Sequence, residues 1–170
     1  MRKFEVFVDV SDSRWLKDIP LIENLVVDCQ NAVIETVLHD VPFLSENKNF
    51  SINLALSDDQ TVQKLNKEFR GMDKPTNVLS FANIDDDSFE QILAIEDDIE
   101  LGDVIVAYET MRVQAEEIGE TLEHHFAHLW VHGMLHILGY DHMEEQERLE
   151  MEAKEIKILS KLGVNNPYQE

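Results

Sequence analysis

Apolar and polar residues alternate from the start of the chain. Phe4, Val6, Val8 and Val10 interleave with Lys3, Glu5 and Asp9, the period-two pattern of a strand. The period then lengthens. From Pro20 to about Leu38, the residues Ile22, Leu25, Val26, Cys29, Val33 and Val37 fall on one face of a helix, which Pro20 is suited to open. Cys29 belongs to that stripe and reads as a small buried hydrophobe rather than a reactive thiol. Alternation returns at Phe50, Ile52, Leu54 and Leu56, a second strand. Ser57 and Gln60 have the spacing of a capping box, which predicts a helix from there to about Phe69, with Gly71 and Pro75 marking the turn beyond it. A short strand is expected over 78–81. The nearly continuous apolar run over 101–107, which holds Gly102 and Asp103, suits a buried strand.

The segment 84–100 is dense in carboxylates: Asp85, Asp86, Asp87, Glu90, Glu96, Asp97, Asp98 and Glu100. It lacks the alternating ligands, central glycine and terminal glutamate of an EF-hand, and it reads as a solvated loop. From Tyr108 onward the periodicity is helical. Gly119 breaks a first helix, and Thr121 can cap a second that continues to about Leu138. A last helix is expected over 144–162, with Leu149, Ala153, Ile156 and Leu159 as its buried stripe. Glu144, Glu145 and Glu147 stand at its start, Lys157 and Lys161 near its end, as the helix dipole favours, and Gly163 stops it. The order of elements predicts an α+β fold: a small mixed β-sheet of about four strands covered by about five helices. With no internal repeat and no linker, residues 1–170 are expected to form a single domain.

Composition narrows the function. The chain has 170 residues, 44% of them hydrophobic, enough to bury a sizeable core. It carries 35 Asp and Glu against 14 Lys and Arg, a net charge of -21. That excludes a generally basic protein that coats nucleic acid, and it disfavours attachment to anionic lipid. With one cysteine, neither an intrachain disulfide nor a cysteine-rich zinc finger can form. The first residues lack the apolar run of a signal peptide, and no stretch of about 18 apolar residues occurs. A cytoplasmic protein with no membrane partner is expected.

The candidate chemistry lies in the histidines. Six of the seven fall between residues 124 and 142. His124, His128, His132 and His136 recur every four residues and so share one helical stripe, successive members roughly 6 Å apart along the axis. Gly139 can end that helix in a left-handed conformation, and the reversal would bring His142 back to the same ion as His132 and His136. Three neutral imidazoles with one open position match catalytic zinc sites rather than closed structural ones. They also suit copper, nickel or iron. His124, His125 and His128 read as surface, packing or supporting groups. The spacing of His132, His136, Gly139 and His142 equals that of the zincin peptidases, except that Gly133 replaces their general-base glutamate. That replacement argues against a zinc peptidase. It is expected to leave backbone room beside the metal and to keep an anionic group away from an incoming phosphodiester.

The string His132-Gly133-Met134-Leu135-His136-Ile137-Leu138-Gly139-Tyr140-Asp141-His142 resembles the signature of the YbeY family of bacterial endoribonucleases. Two further segments resemble that family in order and spacing. One is Leu65-Asn66-Lys67-Glu68-Phe69-Arg70 followed by Lys74-Pro75-Thr76-Asn77-Val78-Leu79-Ser80-Phe81; the other is Leu101-Gly102-Asp103-Val104. Asn77 and Ala82 depart from the usual aspartate and proline. The resemblance implies a zinc-dependent, single-strand-specific endoribonuclease, with one Zn2+ held by His132, His136 and His142 and with Arg70 as a catalytic residue. It implies action in 3′-end maturation of small-subunit ribosomal RNA and in ribosome quality control, with ribosomal RNA and the ribosome or its associated proteins as partners. A non-catalytic ribosome-assembly factor with a structural metal is the remaining alternative.

The charge distribution is compatible with an RNA substrate at one place. Residues 64–74 hold Lys64, Lys67, Arg70 and Lys74 against Glu68 and Asp73, whereas residues 75–147 hold one cation, Arg112, against eighteen carboxylates. Arg70 can grip a phosphate with two parallel hydrogen bonds and stabilise charge developing on it. The acidic remainder predicts weak non-specific affinity for RNA, so that delivery on a ribosome or by a protein partner is expected.

Overall fold

Two alternating segments and two shorter apolar ones give four strands, and the computed structural model, which describes residues 2–168, joins them into one sheet. β1 (Lys3–Val10), β2 (Asn49–Ser57), β3 (Val78–Ala82) and β4 (Asp98–Ala107) lie in the order β1-β2-β4-β3. The first three neighbours in that order run parallel; β3 closes the edge antiparallel to β4, with Ser80 opposite Val104. Among the described residues, seven α-helices surround the sheet: α1 (Arg14–Asp18), α2 (Ile22–Val37), α3 (Asp59–Arg70), α4 (Phe89–Ile95), α5 (Tyr108–Ile118), α6 (Leu122–Ile137) and α7 (Glu145–Lys161). The expected α+β architecture with a small mixed sheet is therefore observed.

The strand alternation explains the layers. Val104 and Val106 of β4 join Phe50, Ile52, Leu54 and Leu56 in the main core beneath α2, α6 and α7. Ile105 and Ala107, pointing the other way, form a smaller cluster with Leu79 of β3 and Val62 of α3. α6 is apolar almost all round and runs through the middle of the main core, where Trp130 is fully buried and its indole N–H donates to the Val26 carbonyl at 3.2 Å.

Four local expectations need correction. The segment 84–100 is not an open loop. It holds a 3-10 turn (Asn83–Asp85), α4 and the start of β4, anchored by Phe89, whose ring meets Phe43 edge-on at 5.6 Å. The carboxylates there hid the few apolar residues that fix it. The cap of α3 is Asp58, whose Oδ1 accepts from Thr61 N–H at 2.8 Å, while Ser57 is buried as the last residue of β2. α1 has no counterpart in the sequence pattern. It is one short turn around Trp15, which is fully buried and donates from its ring to the Ser57 carbonyl at 2.9 Å. Lastly, the buried face of α7 is Met151, Glu155, Ile158 and Leu159, and Leu149 is 56% exposed. The apolar pattern pointed to the wrong stripe because a carboxylate, Glu155, occupies the true one.

Candidate metal centre

α6 begins at Thr121, whose hydroxyl accepts from His124 N–H at 3.1 Å, and ends where Gly139 adopts φ +106°. Gly139 and Tyr140 donate back to the carbonyls of His136 and Leu135, which seals the helix end and turns the chain. The reversal expected from the sequence is present, and it sets His142 against the last turn of α6. The ligand atoms of His132, His136 and His142 lie within 4.8 Å of one another. Their ring centroids are 4.8 Å apart for His132 and His136, 4.9 Å for His136 and His142, and 5.7 Å for His132 and His142. His142 is exposed and the other two are half-buried, so the cluster sits at a surface.

That surface is a cleft of about 520 Å³. Arg70, from the end of α3, lines it together with Asn77, Ser80, His128 and the three clustered histidines. Arg70 is exposed and makes no ion pair among the described residues. Asn77 shapes the entry to β3. Its amide donates to Gln114 Oε1 at 2.9 Å, its Oδ1 accepts from Val78 N–H, and its carbonyl accepts from Ala107 N–H. The remaining histidines separate as expected. His124 faces Glu120 at 3.1 Å, and His125 is buried against Gln114.

Gly133 departs from expectation. It does not leave space beside the cluster. A Cβ at 133 would stand 2.8 Å from Val104 Cγ1 and 3.3 Å from Ser80 Oγ. The glycine is there because α6 lies directly on β3 and β4, with no room for a side chain between. A side chain leaving position 133 starts toward the sheet.

One residue of the site escaped the sequence. Glu155 of α7 is fully buried, and His132 Nδ1–H donates to its Oε1 at 2.5 Å. Its Oε2 accepts from the Tyr168 hydroxyl and lies 3.3 Å from His128 Nε2. Burial alone would raise this carboxyl, but hydrogen bonds from His128, His132 and Tyr168 outweigh it and hold the pKa down at about 2. Burial, reinforced by the neighbouring His132 and His142, pushes His136 down to about 4, so its lone pair stays free at neutral pH. With Nδ1 of His132 occupied, Nε2 is the nitrogen left to face the cluster. Three close imidazoles, one oriented by a carboxylate on its far nitrogen, form a donor set that fits a borderline divalent ion such as Zn2+.

An α+β fold that carries three convergent imidazoles in an open, arginine-lined cleft defines the class: a protein with a candidate hydrolytic metal centre. The family model described as Endoribonuclease YbeY matches residues 22–163, and the chain belongs to that family. A Paramagnetospirillum magneticum protein named Endoribonuclease YbeY is 42% identical over 167 residues, covering 98% of this chain and 96% of its own length. Another of that name, from Magnetococcus marinus, is 49% identical over 121 residues, covering 69% and 82%. The solution structure of TM1509 from Thermotoga maritima superposes with a TM-score of 0.52 at 20% identity, covering 98% of this chain and 99% of that one, a likeness of fold.

Proposed function

We propose that residues 1–170 act as a single metal-dependent endoribonuclease domain, with Zn2+ held by His132, His136 and His142 and with Arg70 as a catalytic residue. The observation that carries this reading is the convergence of three imidazoles in the same cleft as Arg70, in a chain that belongs to a family of endoribonucleases. An ion bound there would supply Lewis acidity and a water acidified toward neutral pH. The rest falls to the chain. Arg70 binds a non-bridging phosphate oxygen and offsets the charge that builds up as the phosphodiester is attacked. His136 presents a neutral nitrogen. Ser80 and Asn77 give the wall polar character.

The substrate we infer is single-stranded RNA, at the 3′ end of small-subunit ribosomal RNA and in ribosome quality control in the cytoplasm. A net charge of -21 supports delivery by a ribosome or by its associated proteins over capture of free RNA. Among the described residues no helix is long and apolar enough to cross a membrane. The test is cleavage of single-stranded RNA, duplex RNA and peptides by the purified protein, before and after chelation and after return of Zn2+. Cleavage of single strands that is lost with the metal and restored with it is the expected result. Peptide hydrolysis without RNA cleavage would assign a peptidase instead. Bound metal with neither activity would assign a structural ion.

A further inference from the structure

Glu155 is fully buried, and among the described residues no lysine or arginine pairs with it. Its partners are two imidazoles and a phenol. A buried carboxylate is costly unless its oxygens are hydrogen-bonded and its charge is offset nearby. The hydrogen bonds are in place, and among the described residues no side-chain polar atom is buried without a partner. Two imidazoles lie against that charge, His128 at the surface of the cleft and His132, which leads on to the imidazole cluster.

We propose that Glu155 is the positioning residue of the metal centre. It fixes the tautomer and ring rotation of His132, so that Nε2 is the nitrogen presented for ligation. It also places a full negative charge one imidazole away from the cation. Tyr168 completes the device. Its hydroxyl donates to Oε2, the oxygen that His132 does not use, and its ring stands edge-on to His128 with centroids 5.7 Å apart. The segment beyond α7 thereby forms one wall of the cleft and holds the carboxylate oxygen that His132 leaves free. His128 is the second imidazole on that carboxylate and keeps its Oε2 from turning away from Tyr168. A carboxylate on the far nitrogen makes a ligating imidazole a stronger donor, and loss of such a partner typically lowers metal affinity about 10–100-fold.

This inference rests on the proposed metal reading, and the experiment separates the two. Zn2+ affinity is measured by competition with a chromophoric chelator for wild type, Glu155→Gln, Glu155→Ala and Tyr168→Phe. The Co2+-loaded visible spectrum reports ligand geometry alongside. Glu155→Gln keeps an oxygen acceptor for His132 Nδ1–H but removes the charge, and it is expected to weaken Zn2+ binding about tenfold. Glu155→Ala removes both and is expected to weaken it about 100-fold, with a shifted Co2+ spectrum. Tyr168→Phe, which deletes one hydroxyl, is expected to weaken binding by about two- to fivefold at unchanged helix content. It remains informative if the Glu155 variants do not fold. Glu155→Gln and Tyr168→Phe proteins that fold and bind Zn2+ as tightly as wild type would overturn the positioning role while leaving the metal centre intact. A wild type that binds no Zn2+ in the same titration would overturn the metal reading and this inference together.

Discussion

The two helices that build the site carry their chemistry in opposite ways. α6 announces it: His132 and His136 sit one turn apart in a helix whose end is marked by Gly139, and the whole cluster falls within eleven consecutive residues. α7 conceals it. The helix is acidic along its length, with Glu145, Glu147, Glu150, Glu152 and Glu155, and one of those five is fully buried beneath His132 while the others are not. Spacing inside one element is local geometry and can be counted. The partner that a ligand finds across the core depends on how two helices pack, and no local pattern records it.

The sharpest test of the α6 side removes its nitrogens. His132→Ala, His136→Ala and His142→Ala are each expected to weaken Zn2+ binding by more than the ~100-fold upper range for an outer partner, and to abolish RNA cleavage. His124→Ala, which faces Glu120 away from the cluster, is expected to leave both unchanged. Metal content by atomic absorption after gel filtration checks all four. Retention of full metal by any of the three ligand variants would remove that nitrogen from the centre.

The next effect isolates the arginine that α3 brings to the cleft. Arg70→Ala is expected to lower cleavage by about 10²–10³-fold while metal content and melting temperature stay put, because Arg70 makes no ion pair that the fold needs. Arg70→Lys should recover only part of that, since an ammonium lacks the planar fork. Single-turnover kinetics on a single-stranded substrate gives the comparison. Wild-type rates for Arg70→Ala would leave catalysis to the α6 cluster.

A smaller effect probes the contact that holds α6 in register. Gly133→Ala brings a methyl to 2.8 Å from Val104 Cγ1, and overpacking of that kind costs roughly 1–3 kcal/mol. Urea denaturation of the chelated protein should show it. Gly133→Glu is expected to be worse still and to gain no peptidase activity, because its side chain starts against the sheet. A Gly133→Ala protein of undiminished stability would mean that α6 and the sheet slide freely.

The last test is acid. Burial pushes the pKa of His125, and of His136, down to about 4, below the unfolded value near 6.5. The unfolded chain therefore takes up protons first as the pH falls. The advantage of keeping these rings neutral is complete above about 6.5 and is lost progressively toward 4. Glu155, held at about 2, adds a further loss as the pH drops from about 4.5 toward that value. Denaturation midpoints of the chelated protein between pH 7 and 4.5 should decline with that profile, and His125→Gln should flatten it. A midpoint independent of pH across the window would show that these rings titrate alike in both states.

Legibility follows the same division. The sequence discloses all four strands and the helices whose faces are cleanly apolar, along with the turn at Gly139, because each is set by neighbours a few residues away. It does not disclose α1, whose five residues are held by Trp15 reaching the Ser57 carbonyl 42 positions along the chain. Nor does it disclose α4, where Phe89 packs on Phe43 amid a run of carboxylates. Glu155 was hidden for the same reason: glutamate in an acidic helix predicts a solvated face, and only the packing of α7 on α6 turns it inward. Gly133 is visible in the sequence, but its reason is not. Its zincin-like position suggested chemistry, whereas the close approach of a strand accounts for it.

That approach has a consequence for how the chain can change. The histidine next to Gly133 is indexed to the sheet through a gap one hydrogen atom wide, so residues 133 and 104 cannot drift independently. A selection for revertants of Gly133→Ala should return smaller residues at Val104, or a change at Ser80, before it returns anything among the histidines. The site's inheritance is thus written partly in aliphatic side chains that never meet a substrate.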